Sequence, residues 1–271
     1  MPHTEVNGQR LYYEEQGQGE PLLCVMGLGA DARAWALQQR AWSAEYRTVV
    51  FDNRDVGRSS YVDGAYEVAD MARDALALAD KLGLDSFHLV GMSLGGAIAQ
   101  EMALTAPERV RTLTLVVTYA GTGGWGPERA RLLSAAMARM SREEQVDFMM
   151  MLCFSESFYE DERRFAGLRQ ILLANPEPQS PEAFARQAEA GGRHDTRGRI
   201  GQLAMPVQVI GAERDMLVPV WKSKELAELI PGSRLTIVEG SGHAVNLEAA
   251  DELNRLVLEF LAEQHAGAAA E

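Results

Sequence analysis

"HLVGMSLGGAIAQ", residues 88–100, runs from an apolar segment through a serine set among small residues into a helix-like stretch. Ser93 stands at the junction, with Gly91 two residues before it and Gly95 and Gly96 after it. The span reads as strand, sharp turn and helix, and Gly91-Met92-Ser93-Leu94-Gly95 fits the pattern G-x-S-x-G. In that setting a serine projects its oxygen above the end of a strand. The glycines let strand and helix approach, and the helix N-terminus favours developing negative charge. A plain tight turn is the alternative, and the rest of the chain decides between them.

Working outward, short apolar runs alternate with helix-length segments. Residues 22–26, 48–51, 87–90, 113–117, 207–210 and 235–238 read as buried strands. Val68, Met71, Ala75, Leu78 and Leu82 keep helical spacing, as do Leu253, Leu256, Val257, Phe260 and Leu261. Asn7-Gly8 inside an alternating stretch predicts a two-residue hairpin ahead of them. The pattern predicts an α/β fold, a mostly parallel central sheet with helices on both faces. From 121 to 201 no strand is expected, and helix starts are marked by the capping box Ser141/Glu144 and by Ser180 before Pro181. The expected organisation is a core of residues 1–120 and 202–265, an inserted helical lid over 121–201, and a flexible tail at 266–271.

Composition narrows the function. The 271 residues are 46% hydrophobic and 24% charged, ordinary for a globular chain with a sizeable core. A net charge of −13 argues against nucleic acid and anionic membrane surfaces as partners. No apolar run approaches the ~18 residues of a membrane span, and "MPHTEVNGQRLYYEE" has neither the basic nor the apolar region of a secretory signal. The two cysteines, Cys24 and Cys153, lie far apart in apolar surroundings and read as buried thiols, which fits a cytoplasmic protein. No Cys/His grouping has metal-ligand spacing, and neither a metal nor a cofactor is expected.

A second glycine turn competes with the first. Gly27-Leu28-Gly29-Ala30-Asp31-Ala32 follows a strand and fits G-x-G-x-x-A, with Asp52 closing the next strand. In a dinucleotide-binding oxidoreductase such glycines approach a pyrophosphate and the acid holds a ribose. Against that reading stand the strands ahead of the turn and the lack of nicotinamide-side chemistry further on.

A serine nucleophile needs a base, and the base needs an acid to orient it. Of the five histidines, only His243 follows a strand end on a glycine-bounded loop; His3, His88, His194 and His265 do not. The loop after 207–210 offers Glu213 and Asp215, of which Asp215, beside the apolar "MLVP", is the preferred acid. Ser93, Asp215 and His243 then occur in the serine–acid–histidine order.

Together these features resemble the α/β-hydrolase superfamily over nearly the whole chain, lid included. "DNRDVGRSS" (52–60) is similar to the Asp-x-Arg-Gly-x-Gly-x-Ser loop of lidded esterases and enol-lactonases: Asp52, Arg54, Gly57 and Ser59 match, and Asp55 stands where glycine is frequent. Met26-Gly27 replaces the His-Gly of many relatives. The resemblance implies an oxyanion hole from the backbone amides of Leu28 and Leu94. It implies hydrolysis of a small-molecule ester or lactone through an acyl-enzyme, with carbon–carbon bond hydrolysis, perhydrolysis and acyl transfer as alternatives on the same triad. A ligand-binding module keeping the fold without activity is a further reading. Trp125 and the Met149–Phe154 patch are candidates for an acyl pocket, with plain core the favoured reading. Arg193 and Arg197 are candidates for a substrate carboxylate, against the plainer reading of a solvated face.

Overall fold

The computed structural model describes residues 2–268. Asn7 and Gly8 take φ of 50° and 76°, the conformation a two-residue hairpin needs, and join β1 (His3–Val6) to β2 (Gln9–Gln16). Then come β3 (Pro21–Val25), α1 (Ala36–Trp42), β4 (Arg47–Phe51), α2 (Val68–Lys81), β5 (Phe87–Met92), α3 (Leu94–Thr105) and β6 (Val110–Val116). Five helices follow without an intervening strand: α4 (Trp125–Met137), α5 (Arg142–Cys153), α6 (Glu156–Glu160), α7 (Glu162–Leu173) and α8 (Pro181–Arg193). The chain closes with β7 (Val207–Ala212), α9 (Trp221–Leu229), β8 (Arg234–Val238), α10 (Val245–Glu248) and α11 (Ala250–Ala268).

The sheet order is β1-β2-β4-β3-β5-β6-β7-β8, antiparallel at β1-β2 and β2-β4 and parallel from there on. Alternate residues of each central strand enter different cores, as the two-residue period of a strand requires. Leu23, Val49 and Leu89 pack with Met71, Ala75 and Leu78 of α2 and Ile98 of α3. Leu22, Val50 and Val90 pack with Trp42 of α1 and Leu253, Val257 and Phe260 of α11. Both helical periodicities read from the sequence are therefore buried faces on opposite sides of one sheet.

Within the helical segment the capping box of Ser141 and Glu144 opens α5, and Ser180 accepts the Ala183 amide at 3.2 Å with Pro181 in the first turn of α8. Its two ends meet at a neck, where Gly121 bridges Asp195 and the Thr196 amide donates to the Ala120 carbonyl at 2.7 Å. At the C-terminal end α11 runs through Ala268, so 266–268 of the expected tail are helical, and 269–271 lie outside the described residues. Among the described residues no helix is long and apolar enough to cross a membrane.

Candidate active site

Ser93 sits between β5 and α3 with φ 56° and ψ −123°, a left-handed conformation that is costly outside glycine. Backbone packing enforces it. A Cβ on Gly95 would lie 2.1 Å from the Val25 carbonyl oxygen, and one on Gly91 would lie 2.4 Å from that of Gly95. One on Gly96 would lie 2.6 Å from the Thr118 side chain. Gly91 and Gly95 are thus places where two backbones nearly touch, and Gly96 one where the Thr118 side chain meets the backbone. Val117, at the end of β6, also takes positive φ (44°), an outlier for a β-branched residue. The turn it makes brings the Thr118 hydroxyl onto the Ser93 carbonyl at 2.6 Å. Nothing in the local sequence announces that brace.

Asp215 and His243, from the loops after β7 and β8, meet: ring Nδ1 lies 2.7 Å from Asp215 Oδ2, and both residues are buried. The other oxygen, Oδ1, accepts the amides of Leu217 (2.8 Å) and Val218 (2.7 Å), which fixes the carboxylate plane. Glu213, the second choice of acid, instead accepts the Gly240 amide at 3.0 Å. The His243 loop is held by Glu248, which accepts the amides of Gly242 (2.9 Å) and Ser155 (3.2 Å) and the Ser155 hydroxyl. Ala244 donates to the Cys153 carbonyl at 2.8 Å. Sequence reasoning missed Glu248, because one more acid near a helix start carries no distinguishing pattern. His243 and Ser93 line one cavity. Among the described residues no hydrogen bond joins the Ser93 hydroxyl to the ring, a contact that in unliganded sites often tightens only with substrate.

Gly27 packs directly on the serine, its added Cβ falling 2.8 Å from that of Ser93. The next amide, that of Leu28, and that of Leu94 in the first turn of α3 have no protein acceptor among the described residues. The Gly29 amide donates to Gln187 Oε1 of α8 at 3.2 Å, and Asn53 donates to the Met26 carbonyl at 2.9 Å. The glycine turn is therefore built around Ser93. Asp52, the candidate ribose ligand, is fully buried and its oxygens are occupied by the Ala32 amide and by Arg58. No acceptor is left for a ribose, and the dinucleotide reading of this turn is corrected. Asp55 has φ 67°, which explains why glycine suits the position. Aspartate endures the strain and gains a two-point ion pair with Arg186 of α8 at 2.7 and 2.9 Å.

Above the strand ends lies a cavity of about 280 Å³, walled by the core loops on one side and by α4, α5, α7 and α8 on the other. Met149, Met150, Cys153 and Phe154 face it, so the methionine patch is pocket wall as well as core. Burial, with the Asp215 carboxylate nearby, pushes the Cys153 thiol up to about 12. Trp125 is exposed and stacks on Arg129, outside this cavity. Arg193 pairs with Glu189 and Arg197 with Asp195 on the surface, so neither candidate arginine reaches the site. The arginines on the cavity wall are Arg129 and Arg142.

The remaining histidines lie elsewhere. His194 is buried 3.4 Å from Gln100, and burial pulls it down to about 4. His88 and His265 flank Glu20 at 3.0 and 2.8 Å, at the opposite end of β5 from Ser93. This trio is close enough to hold a metal ion, a grouping invisible to sequence spacing; Arg111 already occupies the second Glu20 oxygen.

Comparison with known proteins matches this geometry to a family. The model of the alpha/beta hydrolase fold family matches residues 20–250. A protein of Azorhizobium caulinodans that carries the name carbamate hydrolase RutD is 31% identical, over 97% of this chain and 99% of its own. Among solved structures, the enol-lactonase of Burkholderia xenovorans LB400 is similar with a TM-score of 0.89 at 25% identity, covering 96% of this chain and 100% of that one. A thermophilic esterase from Thermogutta terrifontis, malate bound, has a TM-score of 0.85 at 26% identity, with 97% of both chains covered.

Proposed function

The chain belongs to the α/β-hydrolase fold family, and from that premise we propose that it is a serine hydrolase that cleaves small or medium acyl esters through an acyl-enzyme. The observation that carries the reading is Ser93 on its strained elbow, on the wall of the cavity that also receives the buried His243–Asp215 pair. In the proposed reaction, His243 Nε2 takes the Ser93 proton as the oxygen attacks the substrate carbonyl. Asp215 holds the tautomer with the proton on Nδ1 and stabilises the imidazolium. The amides of Leu28 and Leu94 receive the oxyanion, a contribution worth roughly 100- to 1000-fold in rate per donor in comparable sites. His243 then protonates the leaving alcohol, and a water attacks the acyl-enzyme by the same route in reverse. In a lactone the alcohol stays tethered to the acyl group, and the chemistry is otherwise unchanged.

The helical insertion, 121–201, acts in this reading as a fixed lid on the core formed by 1–120 and 202–265. Its hydrogen bonds to the Gly29 amide, to Asp55 and to the Arg54 carbonyl support a lid bolted to the catalytic loops. Two free thiols, Cys24 and Cys153, fit a reducing cytoplasm. The name carried by the 31%-identical relative favours carbamates as the second substrate class, since the same serine can attack a carbamate carbonyl. Initial rates on nitrophenyl esters of graded acyl length test the reading. Turnover that is lost by at least ~1000-fold in Ser93→Ala supports it; equal turnover in both proteins removes Ser93 as nucleophile.

A further inference from the structure

Arg142 opens α5 and lines the cavity that holds Ser93 and His243. One of its Nη atoms donates to the Leu172 carbonyl at 3.0 Å, near the end of α7. Its Nε is buried and has no hydrogen-bond partner. Arg129, on α4, lines the same cavity, donates to the Leu217 carbonyl and stacks on Trp125. Among the described residues neither of these half-buried arginines has a carboxylate within ion-pair distance, although this chain has 39 acidic residues and pairs half-buried guanidinium groups such as Arg54, Arg58 and Arg186 with them.

Such an arrangement is costly. A desolvated charge without a counter-charge is among the least favourable features a protein interior can carry. Burial pulls both guanidinium groups below the ordinary arginine value. A methionine at position 142 would carry no such cost. The second Nη of Arg142 has no hydrogen-bond partner among the described residues and, unlike Nε, is not sealed off, so it can donate to an anionic oxygen.

We propose that the substrate carries an ionised carboxylate besides its scissile carbonyl, and that Arg142 binds it, with Arg129 adding positive potential to the same cavity. The inference rests on the serine-hydrolase reading for the word substrate; the anion site itself stands on the arginines. It places the preferred compounds among half-esters of dicarboxylic acids and lactones bearing an acid group. In a molecule of net charge −13, two arginines without a carboxylate partner offset the repulsion such an anion meets elsewhere. Arg129 donates to the loop that follows Asp215, so Arg142 is the position to vary.

The test compares monomethyl glutarate with its neutral analogue dimethyl glutarate. The expected wild-type kcat/KM favours the half-ester at least tenfold, and Arg142→Met cuts that ratio by about tenfold or more. Arg142→Lys should restore part of it. A second arm needs no turnover: glutarate titrated calorimetrically into Ser93→Ala should bind, weaken with salt, and fail to bind when Arg142→Met is added. Equal kcat/KM for the two esters in the wild type overturns the proposal, as does an equal loss of both in Arg142→Met, which would mark Arg142 as a brace for α7. Absence of glutarate binding to Ser93→Ala overturns it as well, and so does preference for a phosphoryl-bearing ester over the half-ester. No turnover of either ester and no covalent serine adduct, with glutarate still bound through Arg142, would sink the hydrolase reading and leave the carboxylate site standing.

Discussion

A methyl group added at Gly95 would lie 2.1 Å from the Val25 carbonyl oxygen, whereas one added at Gly167, on the exposed side of α7, meets nothing within 4 Å. The two positions stand for the two walls of the cavity. The core wall is made of backbones in close approach, with strained φ at Ser93 and Val117 held by their neighbours. The insertion wall presents mainly side chains, methionines and phenylalanines for shape and arginines for charge, with one close backbone crossing where a Cβ on Gly126 of α4 would lie 2.5 Å from the Gly192 carbonyl oxygen of α8. Chemistry that needs one atom in one place is built from backbone, which tolerates almost no substitution. In the proposed function, choice of substrate falls to the side chains of the helical wall.

The largest expected effect breaks the core wall alone. Gly95→Ala forces β3 and α3 apart and should cost at least ~4 kcal/mol or prevent folding, read by urea denaturation. Next comes the bolt between the walls. Arg186→Leu leaves Asp55 buried without its partner and should cost roughly 3 kcal/mol. Hydrogen exchange should then rise in α8 while β5 and β6 stay protected; uniform loosening of both would contradict two separately built walls.

Acid tests the neck, where His194 packs between α8 and α3. Its value in the folded protein is about 4, against about 6.5 when unfolded. Above pH ~6.5 the ring is neutral in both states and costs nothing. As pH falls toward 4 the unfolded chain takes up a proton that the folded ring refuses, and stability drops by up to about 3 kcal/mol. His194→Gln should flatten the stability profile between those values. The smallest effect sharpens the comparison from the other side. Gly167→Ala should stabilise α7 by about 1 kcal/mol, a rise in Tm of a few degrees, because the same change that breaks the elbow meets open space there.

The elbow was legible in the sequence because its signature falls within a few residues, a serine between glycines, although the partners that demand those glycines include Val25 and Thr118. Asp215 and His243 were legible from their places after apolar strands. Glu248, Gln187 and Val117 were not, since their work depends on partners about 25 to 160 residues away. The sheet and its two helical layers followed from periods of two and 3.6 residues. Arg142 hid for the same reason as Glu248, while Arg193 and Arg197 take the solvated face that the sequence favours for them. All three arginines lie between β6 and β7, and only packing separates a surface pair with a neighbouring acid from a guanidinium lining a cavity.

The central claim is that Ser93 is a nucleophile activated by His243. A fluorophosphonate reagent followed by peptide mapping tests it most directly. One adduct per chain on the peptide holding Ser93, absent from Ser93→Ala and greatly slowed in His243→Ala, is the expected result. Folded protein that takes no label, or takes it on another residue while Ser93 stays unmodified, would contradict it.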